Sequence, residues 1–165
     1  MRSWKIAVLA LGGNLGDRGQ TIATAIDQLA AQKKIRVLER SPLVESLALT
    51  PQGTDESKPN YLNGVIKIAT QLRPKKLLKV ITRIENLHGR IRVERWGSRT
   101  LDIDIITYED QIKVSRRLTI PHPRAFQRAF VLVPWSMMDP DAILPGHGRV
   151  SELAAPMSNE VWLAK

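Results

Sequence analysis

Two aspartates one residue apart, Asp102 and Asp104 in the stretch TLDID, have the types and spacing that could carry out chemistry. Alternate side chains of a strand share a face, so Leu101, Ile103 and Ile105 would point to the core and both carboxylates away from it. Their backbones would lie about 6.6 Å apart at ~3.3 Å per residue. Magnesium prefers oxygen ligands and often takes only one or two carboxylates besides substrate phosphates. The pair therefore indicates a magnesium site, but a solvated strand face has the same pattern.

Four arginines precede this pair in the stretch GRIRVERWGSRTLDID: Arg90, Arg92, Arg95 and Arg99. Cations and carboxylates side by side suit a triphosphate that is held by magnesium on one side and by guanidinium groups on the other. The alternative is a salt-bridged loop, in which Glu94 pairs with a neighbouring arginine at a gain of about 0–1 kcal/mol. The aspartates favour the phosphate interpretation, and without them the salt-bridged loop would be preferred.

Ring side chains occur near the arginines and in the segment that follows the two aspartates. Trp96 lies among the arginines, where its indole would either stack on a base, a pterin or a guanidinium, or fold the loop onto the domain. His122 lies between two prolines that stiffen the backbone, so its imidazole suits contact with ribose or phosphate, although a loop histidine is usually just solvated. Arg128 and Phe130 begin the next helix, where Phe130 would by default belong to the core.

A ring and an amide, Tyr61 and Asn63, begin a predicted strand in the stretch NYLNG. Residues two apart point the same way in a strand, so the pair could stack on a flat heterocycle and hydrogen-bond to it. Strand propensity explains Tyr61 equally well, whereas asparagine is unusual in strands. Asn63 therefore tilts the interpretation toward a binding site.

Other catalytic motifs have little support. Gly12, Gly13 and Asn14 join a strand to a helix and could bind phosphate through backbone amides, but a simple reversing turn is the better interpretation. The glycines match neither the P-loop nor the Rossmann pattern. The chain also shows no Ser-His-Asp constellation and no H-E-x-x-H motif, so hydrolase chemistry is disfavoured.

Hydrophobic spacing predicts the elements that must position these residues. They are a buried strand at 4–11, a helix at 20–32, a strand at 35–46 interrupted or bent near Pro42, a polar loop at 50–60, a strand at 61–70, a helix that opens at Pro74 and stops at Gly89, and a strand at 100–108. The order β-α-β-β-α-β is that of an α+β, ferredoxin-like fold, with an antiparallel sheet and both helices on one face. The other face is left for loops and a ligand, or for the C-terminal segment.

Additional C-terminal helices are expected after residue 120. The stretch RAFQRAFVLVPWSMM predicts a helix that breaks at Pro134, and a short helix is possible around 150–155. Neither a repeat nor a linker divides the chain. We therefore expect one domain over residues 1–165.

Composition limits the class of protein. The 165 residues contain no cysteine, so disulfides, zinc–thiolate clusters and thiol nucleophiles are excluded, and a reducing cytoplasm is the expected location. The apolar N-terminal run is too short to span a bilayer, so no membrane association is expected. A formal net charge of +9 indicates a polyanionic partner, either a nucleic acid or a nucleotide polyphosphate.

Taken together, four stretches resemble the 6-hydroxymethyl-7,8-dihydropterin pyrophosphokinases of folate biosynthesis. They are LGGNLGD, PNYLNG, ENLHGRIRVERWGSRTLDIDI and LTIPHPRAFQRAFVLVPW, in the family's order and spacing. The resemblance implies a ferredoxin-like fold and the transfer of pyrophosphate from ATP to a pterin alcohol, with AMP as the second product. It implies small-molecule substrates and no nucleic acid, and we expect a monomer.

The resemblance also implies roles for particular residues. Asp102 and Asp104 would hold two magnesium ions, and Arg92 would be the cation that stabilises the transition state; these three form the implied catalytic set. The implied ATP contacts are Glu85, Arg92, Arg95, Arg99, Arg117, Thr119, His122 and Arg128. The implied pterin contacts are Tyr61, Asn63, Trp96 and Phe130.

The chain departs from the family pattern at three places. Gly13 stands where the family usually has serine, and Ser98 stands where it usually has proline, which would loosen the loop before Arg99. Segment 46–52 lacks the typical Thr-Pro-rich run, so no pterin contact is inferred there. None of these changes removes a proposed metal ligand or phosphate contact, and we expect an active enzyme.

A basic nucleic-acid-binding α+β domain is the rival hypothesis, and the net charge allows it. Only 5% of the residues are aromatic, and no RNA-binding aromatic pattern lies on the strands. The two aspartates would also repel a phosphate backbone unless a metal ion lay between them. A binding subunit that has lost its activity is a third possibility.

Overall fold

Strands and helices alternate along the chain, and the computed structural model describes them over residues 2–89 and 100–165. The first half contains β1 (Lys5–Gly13), α1 (Arg18–Ala30), β2 (Ile35–Arg40), β3 (Val44–Ser46), β4 (Ala48–Thr50), β5 (Gly53–Asp55), β6 (Tyr61–Thr70) and α2 (Pro74–Leu87). The second half contains β7 (Asp102–Tyr108), β8 (Lys113–Val114), β9 (Thr119–Ile120), a 3₁₀ turn (Ala125–Gln127), α3 (Ala129–Met138), β10 (Ile143–Leu144), β11 (Gly148–Arg149), α4 (Val150–Ala154), a second 3₁₀ segment (Ala155–Glu160) and β12 (Trp162–Leu163).

The central sheet has the predicted ferredoxin-like topology. Its strands lie in the order β12-β3-β6-β1-β7, and β2 also pairs with β6. Every pairing in this sheet is antiparallel. The second predicted strand is interrupted beside Pro42, as expected, and its two parts β2 and β3 both pair with β6.

Two helices cover one face of the sheet, as predicted. The apolar stripe of α2, formed by Leu77, Ile81 and Ile84, is buried against the sheet with residues of α1. Asp17 caps α1 by accepting a hydrogen bond from the backbone N–H of Gln20. Gly89 follows the end of α2 with a φ of 74°, a left-handed conformation that favours glycine and stops the helix.

The C-terminal segment covers much of the opposite face. A second core forms there from sheet residues such as Val8 and Val65 and from Leu132 and Trp135 of α3, with α4 packed beside them. The prediction that α3 breaks at Pro134 is wrong, because the helix continues to Met138. A proline removes only one backbone hydrogen bond, and burial of the residues around it holds the helix together.

The segment predicted as a polar loop at 50–60 is partly ordered into a hairpin. β4 and β5 pair antiparallel around residues 51 and 52, and the hydroxyl of Thr50 donates a hydrogen bond to the carbonyl oxygen of Gly53. The prediction of a structureless loop was therefore incomplete. Turn residues mark a reversal in the sequence, but they do not show whether the flanking residues pair.

No helix within the described residues is long and apolar enough to cross a membrane.

Candidate functional site

The two aspartates share one face of β7, as their spacing predicts. Leu101, Ile103 and Ile105 are buried in the core beneath α1 and α2. Asp102 and Asp104 alternate with them and keep some exposure, with 32% of the Asp104 side chain accessible to solvent. β7 is an edge strand of the sheet, so the pair lies at an edge that a ligand can approach.

Basic and imidazole side chains from the next segment lie against Asp104. Its Oδ2 atom is 3.7 Å from Nη1 of Arg128 and 3.9 Å from Nε2 of His122. His122 is held beside β7 because its backbone N–H donates to the carbonyl oxygen of Ile106 at 2.9 Å. Arg128 is the residue immediately before α3, so that helix positions its backbone beside β7.

The imidazole of His122 is neutral at pH 7. Burial, and then the guanidinium of Arg128, lower the pKa of His122 from 6.5 to about 4, although Asp102 acts in the opposite direction. Its Nδ1 atom accepts a hydrogen bond from the backbone N–H of Arg124 at 3.2 Å. The ring proton therefore resides on Nε2, the atom that faces Asp104.

Glu85 supports the acidic strand from the helical side. It lies in α2 and is only 2% exposed. Its Oε2 atom accepts a hydrogen bond from the backbone N–H of Ile103 at 3.0 Å, at the residue between the two aspartates. A carboxylate bonded to backbone at this point fixes the strand from which both aspartates project.

Small residues of β1 lie between the acidic strand and β6. Gly12 pairs with Asp102 on one side and with Asn63 on the other, while Ala10 pairs with Asp104. We call this arrangement the β1 trough: Asp102 and Asp104 on β7, Ala10 and Gly12 on β1, and Asn63 on β6. The interpretation of Gly12 and Gly13 as a reversing turn is wrong, because both residues belong to β1 and the reversal follows at Asn14.

Asn63 has a polar side chain that the described protein does not satisfy. The residue is only 8% exposed, and its Nδ2 atom is buried with no hydrogen-bond partner among the described residues. Tyr61, two residues earlier on β6, is half-buried. Leu62 between them belongs to the core beneath α1 and α2, so Tyr61 and Asn63 face the other way together, as predicted.

The remaining predicted residues differ in their placement. Phe130 is the second residue of α3 and packs on the second core, with the guanidinium carbon of Arg128 5.5 Å from its ring centroid. Thr119 lies in the β8–β9 hairpin and Arg117 in its turn, and Arg117 is exposed and forms no ion pair with the described residues. No hydrogen bond or ion pair joins Arg117 or Thr119 to the acidic pair in the described part of the chain. The predictions for Arg92, Arg95, Trp96 and Arg99 lie outside the described residues.

The carboxylates of Asp102 and Asp104 suit a metal ion that takes most of its ligands from the substrate and from water. Within residues 2–89 and 100–165, no three His, Cys, Asp or Glu side chains form a group that could hold a metal ion. The carboxylates of Asp102 and Asp104 would offer oxygen ligands on one face, beside a neutral imidazole and the guanidinium of Arg128. This matches magnesium bound by one or two carboxylates together with phosphate oxygens and water.

Sequence reasoning missed the position of Gly12 between two predicted site residues. Alternation along β1 was readable, since Val8, Ala10 and Gly12 have the same parity. What alternation does not give is the register that sets Gly12 between Asp102 and Asn63.

The chain is similar to known proteins over most of its length. A family model described as 7,8-dihydro-6-hydroxymethylpterin-pyrophosphokinase matches residues 8–140. A Haemophilus influenzae protein named 2-amino-4-hydroxy-6-hydroxymethyldihydropteridine pyrophosphokinase is 40% identical over 147 residues, which cover 89% of this chain and 89% of that protein. The folic acid synthesis protein fol1 of Schizosaccharomyces pombe is 42% identical over 141 residues, which cover 86% of this chain but only 19% of that protein.

Solved structures share the fold. The crystal structure of wild-type Plasmodium falciparum HPPK-DHPS with pteroate superposes with a TM-score of 0.72 at 15% sequence identity. The superposition covers 96% of this chain and 45% of that chain, so the protein spans less than half the length of this structural relative.

Proposed function

The chain belongs to the family of 7,8-dihydro-6-hydroxymethylpterin-pyrophosphokinases, and from this premise we propose that the β1 trough is its active site. The enzyme transfers pyrophosphate from ATP to 6-hydroxymethyl-7,8-dihydropterin in folate synthesis. In the proposed site, the pterin lies on the Asn63 side of the trough and the phosphates of ATP lie on the Asp102 and Asp104 side.

The observation that carries this proposal is the buried Nδ2 group of Asn63, which has no hydrogen-bond partner among the described residues and lies beside the acidic edge. A buried N–H donor without a partner costs about 1–3 kcal/mol, so a ligand that supplies an acceptor recovers that free energy. One edge of a pterin offers an N–H donor next to a carbonyl acceptor, which is the pattern that complements a side-chain amide. Tyr61 on the same face, and Phe130 at the start of α3, are the proposed ring contacts of the bicycle.

On the phosphate side, we assign the metal ligands to Asp102 and Asp104. Two magnesium ions bound there would neutralise phosphate charge and align the transferred group. Among the described residues, we propose that Arg128 and the Nε2–H group of His122 contact ATP, because both already face Asp104. Four more roles rest on the resemblance alone. We propose further phosphate contacts from Arg92, Arg95 and Arg99, with Arg92 as the transition-state cation. We propose a pterin contact from Trp96.

Glu85, Arg117 and Thr119 have less direct proposed roles. Glu85 acts through β7, since its carboxylate is already bonded to the backbone of Ile103. Arg117 is exposed and unpaired within the described residues, so it is available to an anionic ligand that approaches along the β8–β9 hairpin. Thr119 follows it in the same hairpin, where its hydroxyl could bind the nucleotide.

The reaction itself asks for positioning more than for covalent catalysis. The hydroxymethyl oxygen of the pterin forms a bond to the β-phosphorus, and the bond from that phosphorus to the oxygen shared with the α-phosphate breaks. AMP leaves, and the hydroxyl proton is released. The contribution of the chain is to hold the two substrates in line, to bind the charge that develops on the phosphates and to exclude water as a competing nucleophile.

The direct test is a turnover assay with Mg-ATP and the pterin alcohol. AMP that appears only when the pterin is present, and that requires the divalent cation, is the expected result. Tight binding to DNA or RNA with a steep salt dependence and no AMP would favour the nucleic-acid hypothesis instead. Binding of both substrates without AMP would identify a binding subunit that has lost activity.

Three further features remain proposals. We propose that residues 1–165 act as one catalytic domain, because both cores are built on the same sheet. We also propose that the enzyme acts as a monomer, as expected at the level of the sequence. A cytoplasmic location is proposed because the substrate ATP is abundant there and the sequence contains no cysteine.

A further inference from the structure

Gly12 occupies the one position of β1 that has a proposed pterin residue on one side and a proposed metal ligand on the other. It pairs with Asn63 of β6 and with Asp102 of β7. Because neighbouring strands lie about 4.8 Å apart, the backbones of Asn63 and Asp102 are roughly 10 Å apart with only Gly12 between them. Paired residues of a sheet share a face, so all three positions present their side-chain direction to the same side.

The Asn63 amide occupies the space that a side chain at Gly12 would need. A Cβ atom built on Gly12 would lie 2.0 Å from Oδ1 and 2.9 Å from Cγ of Asn63, and 3.2 Å from the backbone oxygen of Leu62. Any other residue at position 12 would therefore displace the amide. Gly12 lies within a regular strand and is not among the glycines with positive φ, so space and not backbone conformation demands a glycine at this position.

We propose that Gly12 is a positioning and specificity-determining residue of the enzyme. Because Gly12 has no side chain, the Asn63 amide can lie across β1 in the orientation that hydrogen-bonds to the edge of the pterin. It also leaves a gap between that amide and Asp102, through which the hydroxymethyl arm of the pterin reaches the β-phosphate. This inference rests on the proposed function of the β1 trough.

A substitution at Gly12 should affect the binding of the two substrates differently. A methyl group at position 12 displaces the Asn63 amide and narrows the gap, so it acts on pterin binding. The groups proposed to bind ATP, namely Arg128, His122 and the aspartates, are held by β7 and by the segment that leads to α3. ATP affinity should therefore change little.

The first experiment compares Gly12→Ala with Gly64→Ala. A Cβ atom on Gly64 would lie 2.7 Å from Cδ2 of Leu43, so this control also crowds β6, but on a side chain outside the trough. Calorimetry with α,β-methylene-ATP, magnesium and the pterin alcohol measures each affinity separately. Gly12→Ala is expected to weaken pterin binding by about tenfold or more and to leave the nucleotide affinity near that of the unchanged enzyme. Gly64→Ala is expected to keep both affinities.

A double-mutant cycle with Asn63→Ala tests whether Gly12 acts through the amide. Removing the Asn63 side chain gives the new methyl group room, so Gly12→Ala should have little further effect on pterin affinity in the Asn63→Ala background. Thermal melting provides a second readout that needs no ligand. Gly12→Ala should lower the midpoint of unfolding, and Asn63→Ala should restore part of that loss, even if the single variant folds poorly.

Three results would overturn the inference. They are wild-type pterin affinity in folded Gly12→Ala, additive losses in the cycle, and equal loss of ATP and pterin affinity. Failure of the proposed function has a different signature, in which the unchanged enzyme neither binds the pterin nor releases AMP and Asn63→Ala changes nothing. In that case the melting cycle still decides whether Gly12 makes room for the Asn63 side chain.

Discussion

At the scale of single residues, the neighbours of Asp104 set the charge that an incoming ligand meets. The two aspartates bring two negative charges, whereas the guanidinium of Arg128 lies 3.7 Å from Oδ2 of Asp104 and the nearby His122 is neutral because its pKa is lowered to about 4. A carboxylate and a guanidinium therefore lie side by side at this edge of the sheet. These are the groups that bind divalent cations and anionic phosphates, respectively.

Removing one carboxylate charge tests the metal assignment. Asp102→Asn and Asp104→Asn should each lower kcat by about 100-fold or more, because several kcal/mol of charge stabilisation are lost. AMP release measured against magnesium concentration gives the effect, and far-UV circular dichroism checks the fold. Asp110→Asn is the matched control, since Asp110 is exposed in the turn after β7. Near-normal rates in both site variants would refute the assignment.

The ring of Tyr61 is expected to act on the pterin alone. Tyr61→Ala should weaken pterin binding about three- to tenfold through lost stacking, and should leave ATP affinity nearly unchanged. Tyr61→Phe keeps the ring and should bind the pterin almost normally. Separate titrations with each substrate measure both effects. An equal loss for ATP and pterin would point to a structural role for the residue.

Arg92 lies outside the described residues, and its predicted role remains testable by kinetics. As the proposed transition-state cation, it should affect kcat more than ATP affinity when replaced by alanine. Arg92→Lys keeps the charge but not the planar fork and should recover only part of the rate. Steady-state rates combined with direct ATP titration separate the two effects. A large loss of affinity with an unchanged kcat would make Arg92 a binding residue.

At the scale of elements, one carboxylate ties the C-terminal strand to the strands beside the trough. Glu45 of β3 accepts from Arg18 at 2.7 Å and from the indole N–H of Trp162 at 3.1 Å. Arg18 also donates to the carbonyl oxygen of Asn60 at 2.7 Å, immediately before Tyr61. The beginning of α1, β3, β12 and the entry to β6 therefore share one polar network.

The stability that this network contributes should depend on pH. The hydrogen bond from Arg18 lowers the pKa of Glu45 below its ordinary value of 4.5, while burial opposes it and Trp162 adds to it. Below that ordinary value, the unfolded chain takes up a proton that the folded chain does not. The contribution is therefore complete above pH 4.5 and is lost as the pH falls through the lower, folded pKa.

Glu45→Gln measures this contribution. The variant should be about 1 kcal/mol less stable near pH 7, and the difference from the unchanged protein should shrink as the pH falls below 4.5. Urea unfolding at a series of pH values gives the two curves. Glu56→Gln, at an exposed position between β5 and β6, is the control that should show no such difference. A difference that grows toward low pH would contradict the argument.

At the scale of the whole molecule, a single sheet supports both cores. Leu9 and Leu11 of β1 face the core under α1 and α2, while Val8 of the same strand faces the core under α3. β6 divides its residues in the same way, with Ile66 on one side and Val65 on the other. Loss of either core would expose apolar surface on the strands that hold the other, so the two should unfold together.

Paired core substitutions test this coupling. Ile81→Ala in the first core and Leu132→Ala in the second each empty a site that is 0% exposed, and each should destabilise the protein by about 2–5 kcal/mol. Both should move the same single transition, measured by circular dichroism and by hydrogen exchange in both cores. A Leu132→Ala protein whose C-terminal part melts first, with α1 and α2 intact, would mean that the chain contains two units.

Local patterns were sufficient for most elements, because hydrophobic spacing reports the face that each element buries. They predicted α2 from Pro74, the interruption near Pro42 and the common face of Asp102 and Asp104. They failed at Pro134, where packing outweighs the helix-breaking tendency of proline, and at the β4–β5 hairpin, where turn residues hide a short pairing. The first failure comes from packing against residues elsewhere in the fold, and the second from a local pairing that the types of the turn residues do not show.

The sequence by itself determined the kind of chemistry, since residue types and their period within one strand are local properties. The tertiary structure alone decided the register that puts Gly12 between Asp102 and Asn63, the burial that keeps His122 neutral and the bond that ties Glu85 to Ile103. Each of these joins residues from separate elements. Pairing register and desolvation depend on which strands and helices meet in space. The residue pattern of a single strand does not show which neighbours it will have.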